Sequence, residues 1–221
     1  MRNVSDLNKS SFGKPLLFSF LAAVFFVPLF AFRKIGGFDF WWWMSANQVL
    51  IIGLSLMLVP EFRREIADDL KYSILKKIFL GIAYAAVLYG IFFVGNVVSR
   101  QLFPFAAQGI DSIYGFKESA SGLRIFLLMV LLIGPGEEIF WRGFLQKRWE
   151  KVLSPVKAWL LVSLIYAAVH TASGNIMLVL AAAVCGLFWG WLYLRYKSVL
   201  LVVVSHTLWD VIVFIFFGFQ G

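Results

Sequence analysis

The chain has 221 residues, of which 61% are hydrophobic and 14% are charged, and its formal net charge at pH 7 is +8. Soluble domains carry about 25% charged residues and lack repeated long apolar runs. The composition therefore excludes a soluble globular domain and indicates a single membrane domain. The basic residues lie between the apolar runs, so the positive charge favours contact with anionic lipid headgroups and argues against nucleic acid as a partner.

The apolar runs predict an all-α, polytopic membrane helix bundle with about seven transmembrane helices. The first run is predicted to be an uncleaved span, because no small-x-small cleavage site follows it. The single cysteine, Cys185, lies in an apolar run and is predicted to be a buried hydrophobic residue. The predicted spans are residues 16–32, 41–59, 78–98, 125–145, 158–171, 176–194 and 199–219.

Two long segments between the spans mix charged and apolar residues. In residues 61–77 the apolar residues Phe62, Ile66, Leu70 and Ile74 recur every four positions among charges. This pattern predicts a helix lying in the headgroup region. Residues 99–124 are long and mixed in polarity, and the sequence leaves open whether they form a re-entrant or an interfacial segment.

The distribution of Lys and Arg predicts the orientation. With seven spans, residues 1–15, 60–77, 146–157 and 195–197 fall on one side, here called the basic side, which carries 14 of the 20 Lys and Arg. The opposite side carries 5, and Arg142 lies within a span. The bias predicts that the basic side and the N-terminus are cytoplasmic and the C-terminus is outside. A bacterial inner membrane is the expected location.

The fourth predicted span contains Gly134-Pro135-Gly136-Glu137-Glu138-Ile139-Phe140-Trp141-Arg142-Gly143-Phe144. A charge at bilayer depth costs at least a few kcal/mol, so three of them require pairing or a function. Glu138 and Arg142 are i,i+4 neighbours in the favourable order for an ion pair on a helix. Glu137 lies about 100° away around the helix. The pattern predicts that Arg142 neutralises Glu138 and that Glu137 is left for chemistry.

Both histidines of the chain lie in later spans. His170 is near the end of the fifth, and His206 in the seventh has Asp210 at i+4 on the same helix face. Intramembrane ionisable groups normally face the bundle interior and pair with one another. The predicted span boundaries put Glu137 and His206 roughly 10 and 12 Å from the basic-side edge of the membrane core, Asp210 about 18 Å and His170 about 18–21 Å from it. A catalytic or ion-handling centre is the favoured interpretation over a purely structural clamp.

Taken in order, the motifs Glu137-Glu138-x-x-x-Arg142, Tyr166-x-x-x-His170 and His206-x-x-x-Asp210 resemble those of the CAAX protease and bacteriocin-processing (CPBP) intramembrane proteases. That family includes the Ras-converting CAAX endopeptidase. The second motif more often begins with Phe, and the third more often ends in Asn. The resemblance covers residues 134–210. It implies a catalytic four-helix core in residues 124–221, preceded in residues 1–123 by spans and loops without motifs.

The resemblance implies an intramembrane endopeptidase that cleaves near the C-terminus of a membrane-associated or lipidated substrate, with the substrate and membrane lipid as its partners. Glu137 and His170 would activate water, and His170 can later protonate the leaving amine. His206 would stabilise the oxyanion, held by Asp210 through the other ring nitrogen. Glu138, Arg142 and Tyr166 would support these groups.

A metal-free mechanism is favoured, with no cofactor. Zinc is the alternative, because Glu137, His170 and His206 would form a normal catalytic zinc set with an open fourth position. The sequence contains neither the HExxH spacing of a zinc site on one helix nor a GxSxG serine motif.

Two other functions stay open. A non-catalytic bacteriocin-immunity or scaffold protein would use the same charges structurally, as some members of the family do. A proton-coupled transporter would use them as a relay, but the paired broken segments of many transporters are not apparent. The sequence does not identify the substrate, its cleavage site or the oligomeric state.

Overall fold

The computed structural model describes residues 4–219. Within that range the chain is a bundle of helices without a β-strand, as the composition predicts. The helices are α1 (Val4–Phe32), α2 (Phe40–Leu58), α3 (Glu61–Asp69), α4 (Ile74–Leu102), α5 (Ala106–Tyr114), α6 (residues 122–149), α7 (Pro155–His170), α8 (Ile176–Tyr196) and α9 (Val199–Val211), with short 3₁₀ turns at Gly115–Ser119 and Thr171–Ser173.

Six helical segments are long and apolar enough to cross a membrane: α1, α2, α4, α8, α7 together with the 3₁₀ turn Thr171–Ser173, and α9 together with its π-helical continuation Ile212–Phe216. They correspond to six of the seven predicted spans. The seventh is α6, which is helical throughout its 28 residues but contains the three intramembrane charges. At 1.5 Å per residue, 28 helical residues extend about 42 Å, which is enough to cross a bilayer. The structure therefore confirms an all-α, multi-pass membrane protein.

Helix α6 alternates between α-helical and π-helical turns. The π turns are Met129–Ile133 and Ile139–Gln146, and they flank the α-helical segment Gly134–Glu138. Pro135 has no N–H to continue the regular ladder and its ring crowds the preceding turn. Just before it, the Gly134 N–H bonds to the carbonyl of Met129, five residues back. The Pro135 region is therefore accommodated by a wider turn, and such turns are frequent at functional sites.

The loops predicted to share the basic side are joined to one another. Arg148 donates to Glu65 with its Nη1 3.0 Å from Oε1, and this pair links α3 to the end of α6. Lys197 Nζ lies 2.6 Å from Glu150 Oε2, which links the turn between α8 and α9 to the same end. These contacts place the three segments at one end of the bundle, as the alternation of seven spans predicts.

The opposite side is assembled in the same way. Arg124 forms an ion pair with Asp39, which also caps α2 by accepting from the backbone N–H groups of its first turn. Asn175 Nδ2 donates to the Gly109 carbonyl at 2.7 Å and fixes α5 to the start of α8. The division into two sides is thus confirmed within residues 4–219. The chain ends Met1 and Gly221, whose sides the charge bias predicts, lie outside the described residues, and the cytoplasmic location of the basic side stays a prediction.

Two inter-span segments differ from or extend the sequence prediction. The helix predicted over residues 61–77 is shorter: α3 ends at Asp69, Ser73 has φ +56°, and Ile74 already begins α4. The four-residue spacing therefore continued by coincidence from one helix into the next. Residues 99–124, which the sequence left open, contain the end of α4, then α5 and a 3₁₀ turn, which pack across the opposite-side end of the bundle.

Candidate active site

The two adjacent glutamates of α6 have separate partners. Glu138 is fully buried, and its Oε1 accepts from Arg142 Nη1 at 2.7 Å, which confirms the predicted i,i+4 ion pair. Arg142 also donates to the Gly186 carbonyl of α8 at 3.2 Å. Glu137 is 5% exposed and accepts from the Tyr166 hydroxyl at 2.7 Å. Arg142 is thus occupied by Glu138 and α8, while Glu137 has a single neutral donor.

Glycines allow the neighbouring helices to approach α6. A Cβ at Gly136 would lie 2.8 Å from Gln48 Cβ on α2, and one at Gly134 would collide with Thr207 on α9. A Cβ at Gly186 would lie 3.2 Å from the Ser163 carbonyl of α7. Glycine has no side chain to separate helix backbones, so α6 and its neighbours can approach this closely at the glycine positions. The close approach of Thr207 to Gly134 brings the adjacent residue of α9, His206, beside the glutamates.

That histidine, His206, lies among three carboxylates. Its Nδ1 is 2.6 Å from Glu138 Oε1, and its Nε2 is 3.4 Å from Asp210 Oδ2 and 4.0 Å from Glu137 Oε2. The sequence predicted that Asp210 holds the ring through the nitrogen not used for catalysis; in the structure Asp210 lies on Nε2, and Glu138 occupies Nδ1. Ionised carboxylates only accept hydrogen bonds, so this environment favours a ring that donates from both nitrogens.

His170 is brought to the same region, although the sequence-based depths separated it from Glu137. Helix α6 continues to Trp149, so Glu137 lies about 18 Å from the basic-side end of its helix, and His170 lies about 22 Å from Pro155. The extra turn of α6 reduces the discrepancy. His170 Nδ1 is 2.7 Å from the Tyr166 carbonyl and therefore donates to it. In the neutral ring, Nε2 then carries the lone pair.

Tyr166 contributes more than the hydrophobic residue that commonly stands in this motif. Its ring packs against His170 with centroids 4.9 Å apart, and Arg142 lies 4.9 Å from the ring centroid. The hydroxyl that Phe would lack donates to Glu137. Tyr166 therefore orients the side chain of Glu137, the candidate base. The presence of Tyr instead of Phe in the motif did not predict this contact.

A cavity of about 350 Å³ joins these groups. Glu137, Tyr166, His170, His206 and Asp210 all line it, so the structure brings together every residue that the sequence proposed for catalysis. Most of the remaining wall is apolar. Part of it comes from the first half of the chain, on α1, α2, α4 and α5: Phe30, Phe40, Trp41, Met44, Phe92, Ile110 and Tyr114. Substrate contacts are therefore expected from residues 1–123 as well as from the predicted core.

Sequence reasoning missed Trp189. This fully buried residue of α8 stacks on the His206 ring, with centroids 3.6 Å apart and planes inclined by 17°. One tryptophan among the nine of an aromatic-rich chain gives no signal in a single sequence. Gly186 and Gly190 on the same helix allow close packing against α7, but their spacing does not indicate which residue contacts His206.

Replacing Trp189 tests whether the stack positions His206. A desolvated cation–π contact stabilises by about 2 kcal/mol, so we expect Trp189→Leu to lower kcat about 10- to 30-fold with little change in KM. Trp189→Phe keeps an aromatic face and should lose less. The measurement is steady-state cleavage per folded molecule. Trp159→Leu, at the α7–α8 contact with its Nε1 3.0 Å from the Leu187 carbonyl, is the matched control. Equal losses in Leu and Phe variants at position 189 would contradict the positioning role.

The described residues do not form a ready-made zinc site. It requires Glu137, His170 and His206 to converge on one ion. Within residues 4–219, no three His, Cys, Asp or Glu side chains are grouped closely enough to hold a metal. No step of the mechanism is therefore assigned to a metal.

The fold and the site define a multi-pass membrane protein with a buried carboxylate and histidine centre. Residues 119–212 match the family model described as type II CAAX prenyl endopeptidase Rce1-like. The matched segment is 94 of the 221 residues and contains all three charged motifs, so this part of the chain is similar to the CAAX proteases. Comparisons with curated proteins and with solved structures gave no match.

Proposed function

We propose that this protein is a metal-free intramembrane endopeptidase in which Glu137 activates the attacking water. The observation that carries the proposal is the arrangement around Glu137. It is a buried carboxylate that lines a largely apolar cavity, accepts a hydrogen bond from the neutral Tyr166 hydroxyl, and lies 4.0 Å from a His206 nitrogen that can donate. General-base catalysis needs such a carboxylate within reach of one water molecule.

Water activation uses Glu137 and His170. Glu137 takes a proton from the water, and His170 Nε2, whose lone pair is free when Nδ1 donates to Tyr166, accepts the second hydrogen bond of the same water. The hydroxide oxygen forms a bond with the peptide carbonyl carbon. The proton held by Glu137 then passes to the leaving nitrogen as the C–N bond breaks, which yields an amine and a carboxylic acid that ionises by releasing its proton to solvent. His170 acts as acceptor in this sequence, because it would need a proton before it could act as an acid.

The negative charge on the peptide oxygen is stabilised by His206. Its Nδ1 is fixed by Glu138, so Nε2 is the nitrogen that faces the cavity. In the absence of substrate, Asp210 Oδ2 is the nearest acceptor of that N–H. The long 3.4 Å separation means that a developing oxyanion can compete for the donor. Preorganised donors of this kind are among the strongest sources of rate enhancement in hydrolytic enzymes.

The cavity supports a membrane-associated substrate. Three of its apolar lining residues keep large exposed fractions: Ile91 on α4 (44%) and, on α8, Leu180 (46%) and Val184 (39%). A membrane-facing entrance between α4 and α8 is therefore part of the proposal. A lipidated or hydrophobic segment can reach the glutamate from the membrane without crossing an aqueous phase.

Cleavage of defined peptides by the purified protein in detergent tests the proposal. The panel contains a C-terminal CAAX peptide with a prenyl thioether, its unprenylated form and a hydrophobic C-terminal signal peptide. We expect hydrolysis of at least one membrane-binding peptide, without loss of activity after chelator treatment and with metal content below stoichiometric. Activity that disappears on chelation and returns with zinc would overturn the metal-free mechanism. A folded protein that cleaves none of the peptides would favour the non-catalytic scaffold hypothesis. Proton flux across the membrane of proteoliposomes would favour the transporter hypothesis.

Asp210 is expected to tune His206, and two substitutions separate charge from hydrogen bonding. Asp210→Asn keeps an oxygen that can accept from Nε2 but loses the charge, so we expect activity to fall about 10-fold. Asp210→Leu removes the acceptor and should lower activity about 100-fold, near the effect of losing an oxyanion donor. Cleavage rates per folded molecule provide the measurement. Normal turnover in Asp210→Leu would exclude this role.

A further inference from the structure

Residues 217–219, here called the strap, follow the last helical turn of the described chain, which ends at Phe216. They belong to neither a helix nor a strand. Phe216 and Phe217 are exposed (63% and 65%), whereas Phe219 is half-buried and lines the same cavity as Glu137. One side chain of the strap is therefore part of the wall of the candidate active site.

Phe219 is held in the way that a residue of a bound peptide would be. Its N–H donates to the Tyr114 hydroxyl of α5 at 2.7 Å, and its carbonyl accepts from Arg100 Nη2 of α4 at 2.8 Å. Its ring stacks on that of Tyr89, with centroids 5.2 Å apart, and lies 6.4 Å from that of Phe92. The two main-chain groups and the side chain thus all have partners on α4 or α5.

Phe92 connects the strap to the proposed catalytic residues. Its ring packs on Trp209 of α9 with centroids 4.7 Å apart. Trp209 contacts Trp189, which stacks on the His206 ring. The rings of Phe92, Trp209, Trp189 and Phe219 all line the cavity. A peptide that packs on this aromatic wall would need the surface that Phe219 covers, because close-packed side chains leave no room for both.

A glycine allows the strap to lie against α5. A Cβ at Gly218 would lie 2.9 Å from Cε1 and 3.2 Å from Cζ of the Tyr114 ring. Tyr114 is only 6% exposed, so its ring is held by its surroundings and cannot easily move away. A larger residue at position 218 is therefore expected to lift the strap from Tyr114.

We propose that the strap is an autoinhibitory contact: Phe219 occupies part of the peptide-binding wall, and a substrate peptide displaces it on binding. Two hydrogen bonds and one half-buried ring hold the end of the strap, which suits a segment that opens locally while the helices stay folded. The closed strap lowers the apparent affinity for peptide in proportion to the fraction of molecules that are closed. This inference rests on the proposed endopeptidase function.

Releasing the strap is expected to increase activity, which a merely destabilising substitution would not do. Gly218→Val lifts the strap and Phe219→Ala removes its ring, so each should lower KM about 10-fold with kcat nearly unchanged. The measurement is steady-state cleavage per folded molecule. Phe216→Ala removes a neighbouring exposed ring that does not line the cavity, and this control should leave KM unchanged. An unchanged or higher KM in both strap variants would overturn the inference.

Hydrogen exchange tests the displacement without using catalysis. In the Glu137→Gln variant, saturation with a peptide of the panel should make the Phe219 N–H exchange at least about 10-fold faster, because its bond to Tyr114 opens. Slower exchange would show that the strap closes over the bound peptide, contrary to the proposal. If the unmodified protein cleaves the peptides while this exchange rate does not change, only the strap fails. If no peptide is bound or cleaved, the proposed proteolysis fails and the strap fails with it.

Discussion

Glu137→Gln is expected to abolish peptide cleavage while leaving the protein folded. Glutamine keeps the shape of the side chain, and its carbonyl oxygen can still accept from the Tyr166 hydroxyl, so the packing at this buried position is retained. It cannot take a proton from water. General-base catalysis contributes about 10²- to 10⁴-fold, and we expect a loss of at least about 10³-fold in kcat.

The measurement is cleavage of the best detergent-phase peptide, together with the thermal unfolding midpoint of the same preparation. Glu118→Gln is the same change at an exposed position in the 3₁₀ turn Gly115–Ser119. It is the control and should retain activity. A Glu137→Gln protein that cleaves at more than a tenth of the normal rate would exclude Glu137 as the base. A variant that is inactive because it does not fold would instead assign Glu137 to structure.

Breaking the Glu138–Arg142 pair is expected to have the largest effect on stability. Both side chains are at most 1% exposed. Glu138→Gln therefore leaves the guanidinium without its compensating charge, and Arg142→Leu leaves the carboxylate without its cation. Removing one member of a buried ion pair costs about 3–5 kcal/mol. For a chain of this size, we expect the unfolding midpoint to fall by about 10 °C and the folded yield to fall with it.

The double variant Glu138→Leu/Arg142→Leu separates charge imbalance from lost packing. Replacing a buried pair by apolar groups is often neutral, so we expect the double variant to be more stable than either single one, yet inactive because His206 loses its Nδ1 acceptor. Asp68→Asn, which breaks an exposed pair with Lys71, is the control and should not change the midpoint measurably. Additive losses in the double variant would show that the two residues act separately.

The contacts of Glu138 change the roles predicted for the two glutamates. From the sequence, Glu138 was expected to be only the structural partner of Arg142. In the structure, its Oε1 lies 2.7 Å from Arg142 Nη1 and 2.6 Å from His206 Nδ1. It therefore connects the ion pair to the candidate oxyanion donor, and loss of Glu138 is expected to reduce both stability and turnover. Glu137 retains the separate role that its single hydroxyl partner allows.

The sequence by itself determined the features that depend on local order along the chain. Apolar runs of span length fixed the helices, because backbone groups in lipid must be satisfied within each helix. The i,i+4 spacing fixed the Glu138–Arg142 pair, because residues four apart on a helix are neighbours whatever surrounds them. The alternation of spans fixed which loops meet at each end of the bundle.

Tertiary structure decided what depends on the relative positions of helices. The spacing of His206 and Asp210 placed them on one face of α9, but only the approach of α9 to Gly134 showed that Glu138 holds the ring and that Trp189 stacks on it. The sequence did not predict the cavity either, because its wall joins residues that are far apart in the chain. Contacts between helices depend on rotation, tilt and close packing at glycines, and an apolar sequence specifies these only when all the helices pack together.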